Sequence, residues 1–136
     1  NNMKQTLCDK AKEARNNAYT PYSNFKVGAA LLCSDGSIYT GCNIENASYS
    51  PTVCAERVAI FKAVSEGKRE FSAIAVCGSP KGELSDKFCY PCGVCRQVLS
   101  EFCGEDFKIL LYDGKTVKSY HLNELLPYNF GSEELC

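Results

Sequence analysis

The sequence predicts an α/β fold, a three-layer α/β/α arrangement with a mixed five-stranded sheet. Three observations point to it. Apolar stripes of helical period alternate along the chain with short, nearly continuous apolar runs of strand type. Asp35-Gly36 and Asp113-Gly114 sit between such runs as turns. The 136 residues show no repeat, low-complexity segment or linker, which fits a single domain over 1–136, large enough to bury a core without staples.

Met3 to Tyr19 reads as a helix, because Leu7, Cys8, Ala11, Ala14 and Ala18 form an apolar stripe opposite Lys and Glu. Thr20-Pro21-Tyr22-Ser23 ends it, since the residue before a proline avoids helical geometry. Val27 to Cys33 and Ile38 to Ile44 read as a hairpin around Asp35-Gly36, with Gly28 and Gly41 marking bulges or close backbone approach. Ser50-Pro51 reads as the cap and first residue of a second helix that Gly67 stops. Phe71 to Cys77 is a buried-type strand, and Gly78 to Tyr90 a loop long enough to suggest function or insertion. Pro91 opens a third helix that ends at Gly104. Phe107 to Tyr112 and Thr116 to His121 are the last strands, and Leu122 to Leu126 is a helical turn before an aromatic tail. The order αββαβαββ places crossover helices in the middle, where the strands are expected to run mostly parallel.

Composition excludes several functions. A formal net charge of −1 provides no electrostatic footprint for nucleic acid or an anionic membrane. No apolar run is long enough to span a bilayer. Asn1 to Lys4 shows no signal-peptide pattern, so the expected location is cytoplasmic.

The ten cysteines admit three readings. A secreted disulfide framework fits poorly with the missing signal and the adequate length. A structural Cys₄ zinc site would add Cys89 to Cys54, Cys92 and Cys95. A catalytic Cys₃ site would use the last three alone and keep one metal position for water. The C-x-x-C of Cys92 and Cys95 separates none of these readings. Glu56, two residues after Cys54, favours the catalytic one, since a structural zinc needs no proton carrier. Both sets sit near helix N-termini, where free N–H groups stabilise thiolates. Three thiolates on Zn²⁺ leave an excess negative charge, so a cation is expected nearby, with Arg57 and Arg96 as candidates. His121 lies far off in a polar stretch and reads as a packing or surface residue.

Five segments carry a resemblance. They are Pro21-Tyr22-Ser23-Asn24-Phe25, Val27-Gly28-Ala29-Ala30-Leu31, Gly41 to Tyr49, Cys54-Ala55-Glu56-Arg57 and Pro91 to Gln97. Together they resemble the zinc-dependent cytidine deaminases, specifically the small homotetrameric enzymes of free nucleosides. That family uses a Glu that is not a ligand beside its zinc.

The resemblance implies one Zn²⁺ per chain on Cys54, Cys92 and Cys95, with Arg57 hydrogen-bonding the ligand thiolates. It implies hydrolysis of cytidine or deoxycytidine at C4, with Glu56 carrying the protons and ammonia leaving. Phe25 would stack on the base, Asn43 and Glu45 would hold the ribose hydroxyls, and Ala55 would offer backbone groups to the base. Ala47, Tyr49 and Phe130 would reach a neighbouring subunit's pocket in a homotetramer. Blasticidin-type deaminases share these motifs, and a non-catalytic structural zinc module is the alternative from another class. Cys89 and the length of the 79–90 loop depart from the pattern.

Overall fold

The computed structural model describes residues 2–80, 83–84 and 87–135. Positions 81, 82, 85 and 86 of the expected 79–90 loop, and Cys136, lie outside the described residues.

Helix α1 (Asn2–Ala14) passes into a 3₁₀ turn, Arg15–Asn17. Strands β1 (Phe25–Cys33) and β2 (Ile38–Cys42) form the expected hairpin. They are followed by α2 (Ala55–Ser65), β3 (Phe71–Pro80), α3 (Gly93–Phe102), β4 (Lys108–Tyr112), β5 (Val117–His121) and the short α4 (Leu122–Leu125). The sheet order is β2-β1-β3-β4-β5. β1 is antiparallel to both β2 and β3, β3 is parallel to β4, and β5 is antiparallel to β4. β2, β3 and β4 therefore run in one direction, and the helices that connect them begin at the same end of the sheet. That end carries the site.

The two faces of the sheet have separate cores. On one, Leu7, Cys8 and Ala11 of α1 pack on Ala30, Ala73, Ala75, Cys77 and Leu110. On the other, Ala55, Ala59, Ile60 and Ala63 of α2 and Leu99 of α3 pack on Leu31, Ile74, Val76, Ile109 and Leu111. Small residues on α2 let it sit close to the sheet. The closest approach is at Gly41, where a Cβ would stand 2.4 Å from the carbonyl oxygen of Ala55. Any side chain there would push away the first turn of α2, and with it the site. Truncating Ile60 or Leu31, both fully buried, to Ala would cost about 2–5 kcal/mol.

Several boundaries differ from the sequence reading: α1 ends at Ala14, short of the expected Tyr19, β1 begins at Phe25, β2 ends at Cys42 and α3 begins at Gly93; two further differences bear on the site. α2 starts at Ala55 rather than at Ser50-Pro51, with Cys54 as its N-cap at φ −80° and ψ 157°. The reason is tertiary: Ile44 and Val53 exchange backbone hydrogen bonds of 3.0 Å and hold the chain extended up to Cys54. β3 runs on to Pro80, because Gly78, Ser79 and Pro80 pair with Val27, Lys26 and Phe25.

Candidate active site

Cys54 and Cys92 occupy equivalent places, each the extended N-cap of a helix. Their carbonyls accept the first helical bonds, from Val58 N–H at 3.2 Å and Arg96 N–H at 3.0 Å. Cys95 follows one turn into α3 and is fully buried. The approach to Cys92 is pinned from the far side of the chain. Phe88 lies under Lys118 Nζ, 4.8 Å from its ring centre, and the hydroxyls of Tyr90 and Tyr120 are 3.1 Å apart. Pro91 is then buried and directs the chain into α3.

These elements bring the three sulfurs within 4.8 Å of one another. Cys54 Sγ and Cys92 Sγ are 3.7 Å apart. Sulfurs on a tetrahedral ion with metal–sulfur bonds of about 2.3 Å lie about 3.8 Å from each other, so the set fits zinc. Cys89 is not in the cluster, and no other such cluster occurs among the described residues. The nine described cysteines are all free thiols, which removes the disulfide reading for them.

Electrostatics separate the thiols. Cys54 is drawn down to about 5, first by the hydrogen bond from Cys95 and then by Arg57. Cys95 is pushed strongly upward, because it donates to Cys54 and is buried. Cys89 is pushed up to about 12 by burial, with the charges of Glu56 and Cys54 adding to it. Cys89 is thus a neutral thiol beside the cluster.

Arg57 Nη2 donates to Cys54 Sγ at 3.4 Å, while its Nε is buried with no hydrogen-bond partner. A half-buried guanidinium beside the Cys54 and Cys95 sulfurs suits an anionic cluster and supplies the expected cation. Arg96 does not share this task. Its Nε donates to Pro91 O and its Nη1 to Leu125 O, both at 2.7 Å, so it ties the start of α3 to the end of α4. His121 places Nδ1 2.9 Å from Asp106 O and is no ligand, as its position in the sequence indicated.

Glu56, in the first turn of α2, is only 4 % exposed. Burial, with the Cys54 charge behind it, pushes its carboxyl up to about 7. A carboxyl held there can both take and return a proton near neutral pH.

The remaining expected residues are placed as follows. Phe25 is 37 % exposed and follows Asn24, whose φ of +58° turns the chain into β1. Ala55 is buried against the sheet. Asn43 Oδ1 accepts from Val27 N–H at 2.9 Å, and its Nδ2 donates to Phe25 O at 2.8 Å, so its amide lengthens the hairpin ladder. Glu45 Oε1 accepts from the N–H groups of Tyr22 and Ser23, and its Oε2 from the Ser23 hydroxyl. Sequence reasoning missed these backbone duties, because they join residues about twenty positions apart with no local pattern. Glu45 also lines a groove of about 330 Å³ with Tyr22, Ser23, Asn46, Tyr49 and Thr52. Ala47 is exposed, Tyr49 is 79 % exposed and Phe130 58 % exposed.

Comparison with known proteins agrees with this geometry. Residues 1–111 match the cytidine and deoxycytidylate deaminase zinc-binding region. A cytidine deaminase of Sporosarcina psychrophila is 49% identical over 132 residues, 96% of this chain and 93% of that protein. The 1.6 Å crystal structure of cytidine deaminase from Burkholderia pseudomallei superposes with a TM-score of 0.85 at 45% identity, covering 93% of this chain and 98% of that one. A blasticidin-S deaminase of Bacillus cereus is more distant, at 35% identity over 107 residues and 76% of each chain.

Proposed function

The chain belongs to the family of zinc-binding cytidine and deoxycytidylate deaminases, and on that premise we propose that it hydrolyses cytidine and deoxycytidine to uridine and deoxyuridine with release of ammonia. One observation carries the reading. Cys54, Cys92 and Cys95 converge within 4.8 Å, with the buried carboxyl of Glu56 two residues from a ligand. A structural site would recruit a fourth protein ligand, and Cys89 stays outside. Cytidine is favoured over blasticidin because the cytidine deaminase relatives are nearer and cover more of the chain.

Cys54, Cys92 and Cys95 would hold one Zn²⁺, which when bound acidifies water for attack at C4. Arg57 stabilises Cys54 as thiolate. Glu56 takes a proton from the water and gives it to N3 of the base; it then takes the second proton from the oxygen now on C4 and delivers it to the amine as the C4–N bond breaks. Water adds its oxygen to C4 and ammonia leaves, so atoms and charge balance. Phe25 presents an aromatic face to the base, and Ala55 offers backbone groups. Asn43 and Glu45, held rigid by the β1 backbone and the Tyr22-Ser23 turn, keep free lone pairs and one N–H for ribose hydroxyls.

Our reading extends to a single-domain enzyme that works as a homotetramer, in which Ala47, Tyr49 and Phe130 complete a neighbour's pocket. The exposure of Tyr49 and Phe130 supports it. No helix among the described residues is long and apolar enough to cross a membrane. Pyrimidine salvage in the cytoplasm is the role we assign. The test is zinc stoichiometry together with the fall in ultraviolet absorbance as cytidine becomes uridine. Stoichiometric zinc with no absorbance change on either nucleoside would overturn the assignment.

A further inference from the structure

Gly78 shares a face of β3 with Ile74 and Val76, the face covered by α2 and α3. A Cβ on Gly78 would stand 2.9 Å from Phe25 Cε1, and 2.8 Å and 3.0 Å from Cys89 Cβ and Sγ. The Phe25 ring and the Cys89 side chain therefore both lie over the bare backbone of Gly78, where a larger residue would displace them. Cys89 is also partly buried against the core that α2 and α3 cover, and it lies close enough to Glu56, Cys54 and Cys92 to feel their charges. It is thus seated beside the ring at one end and near the catalytic carboxyl at the other, yet it belongs to neither the ligand set nor the acid–base group.

We propose that Cys89 is a positioning residue for the substrate's base: seated on Gly78, it fixes the plane of the Phe25 ring against which the base lies. The inference rests on the reading of Phe25 as the base platform. A phenyl ring 37 % exposed at a strand end keeps rotational freedom unless a neighbour removes it. Stacking rewards only the orientation that presents the ring face. A small apolar side chain fills this place without a polar group to satisfy, and the thiol meets that need as a small hydrophobe.

The test measures KM, kcat and zinc content for Cys89→Ala, Cys89→Val, Phe25→Ala and the Phe25→Ala/Cys89→Ala double variant. Cys89→Ala is expected to raise KM about 3- to 10-fold, the effect of freeing one side chain that binding must order again. Its kcat and zinc content should hold, and Cys89→Val should bring KM back towards the parent value. In the Phe25→Ala background, removal of Cys89 should add nothing to KM. Should Cys89→Ala give no folded protein, Cys89→Leu overfills the same seat and should also raise KM. An unchanged KM in Cys89→Ala, with a raised KM in Phe25→Ala, would overturn the proposal. So would an equal rise with and without Phe25, since Cys89 would then act on the substrate directly. An unchanged KM in Phe25→Ala would instead remove the base-platform reading beneath it.

Discussion

The side-chain amide of Gln97 donates to the carbonyl oxygen of Phe130 over 2.8 Å. Gln97 lies two residues beyond Cys95 on α3, so the helix that carries two metal ligands also anchors the tail. The tail is not loose, yet the Phe130 ring stays exposed. Phe130 thus has its backbone tied to α3 while its ring faces solvent. Gln97→Ala should release the tail at a small cost in stability, about 0.5–1.5 kcal/mol for one exchanged hydrogen bond. In a homotetramer with shared sites it should also raise KM with zinc still bound, as should Phe130→Ala. Assembling Phe130→Ala chains with Glu56→Gln chains should restore sites that have one intact copy of each residue. Full activity from a monomer, seen by light scattering at assay concentration, would end this idea.

Glu56→Gln should retain zinc and fold while nearly abolishing turnover. The amide has the same shape but neither accepts nor releases a proton near neutral pH. General acid–base groups usually contribute about 10²–10⁴-fold, and the shuttling of both water protons by one residue puts the loss at the upper end or beyond. Near-normal turnover in this variant would remove Glu56 from the mechanism.

Cys89→Ser should bind as much zinc as the parent protein, measured by metal analysis after gel filtration. The motivation is its place outside the sulfur cluster. A drop in zinc content would return the site to a four-cysteine reading.

Arg57→Gln should make zinc binding more sensitive to acid. Cys54 is held at about 5 by its hydrogen bond with Cys95 and then by Arg57. Removing the cation raises that value. Protons then compete with metal at a higher pH, because the ligand must be deprotonated to bind. The midpoint of zinc release on acidification, followed with a coloured chelator, should move up in pH. A midpoint that stays or falls would show that Arg57 has no hold on the thiolate.

Asn43→Ala and Glu45→Ala should weaken competition by uridine much more than competition by uracil. Asn43→Ala should also destabilise the fold by about 1–3 kcal/mol, since Val27 N–H and Phe25 O lose their partner. Equal losses on both inhibitors would mean the two residues support the hairpin and not the sugar.

The sequence made the element order legible, because apolar period and turn chemistry are local. It also singled out Cys54, Cys92 and Cys95, which the fold brings within 4.8 Å of one another, through the Glu after Cys54 and the family resemblance rather than through the C-x-x-C spacing alone. The start of α2 was hidden. Ser50-Pro51 has good helix-start chemistry, but the Ile44–Val53 bridge outweighs it and keeps the chain extended to Cys54. The role of Arg96 was hidden too, since carbonyls of Pro91 and Leu125 meet at its guanidinium only after α4 has folded back. In each case the deciding partner is distant along the chain, where local pattern carries no information.

Cys54 and Cys92 touch across 38 positions of sequence, and everything between them belongs to α2, β3 and the loop that follows. A nascent chain therefore carries an incomplete ligand set until Cys95 has left the ribosome. At roughly 5–20 residues per second, Cys54 waits for several seconds without the Cys95 hydrogen bond that does most to lower its pKa. Metal uptake is thus a late step of biogenesis. A polypeptide released early, before residue 92, would emerge with a sheet edge uncovered and no means of retaining the ion.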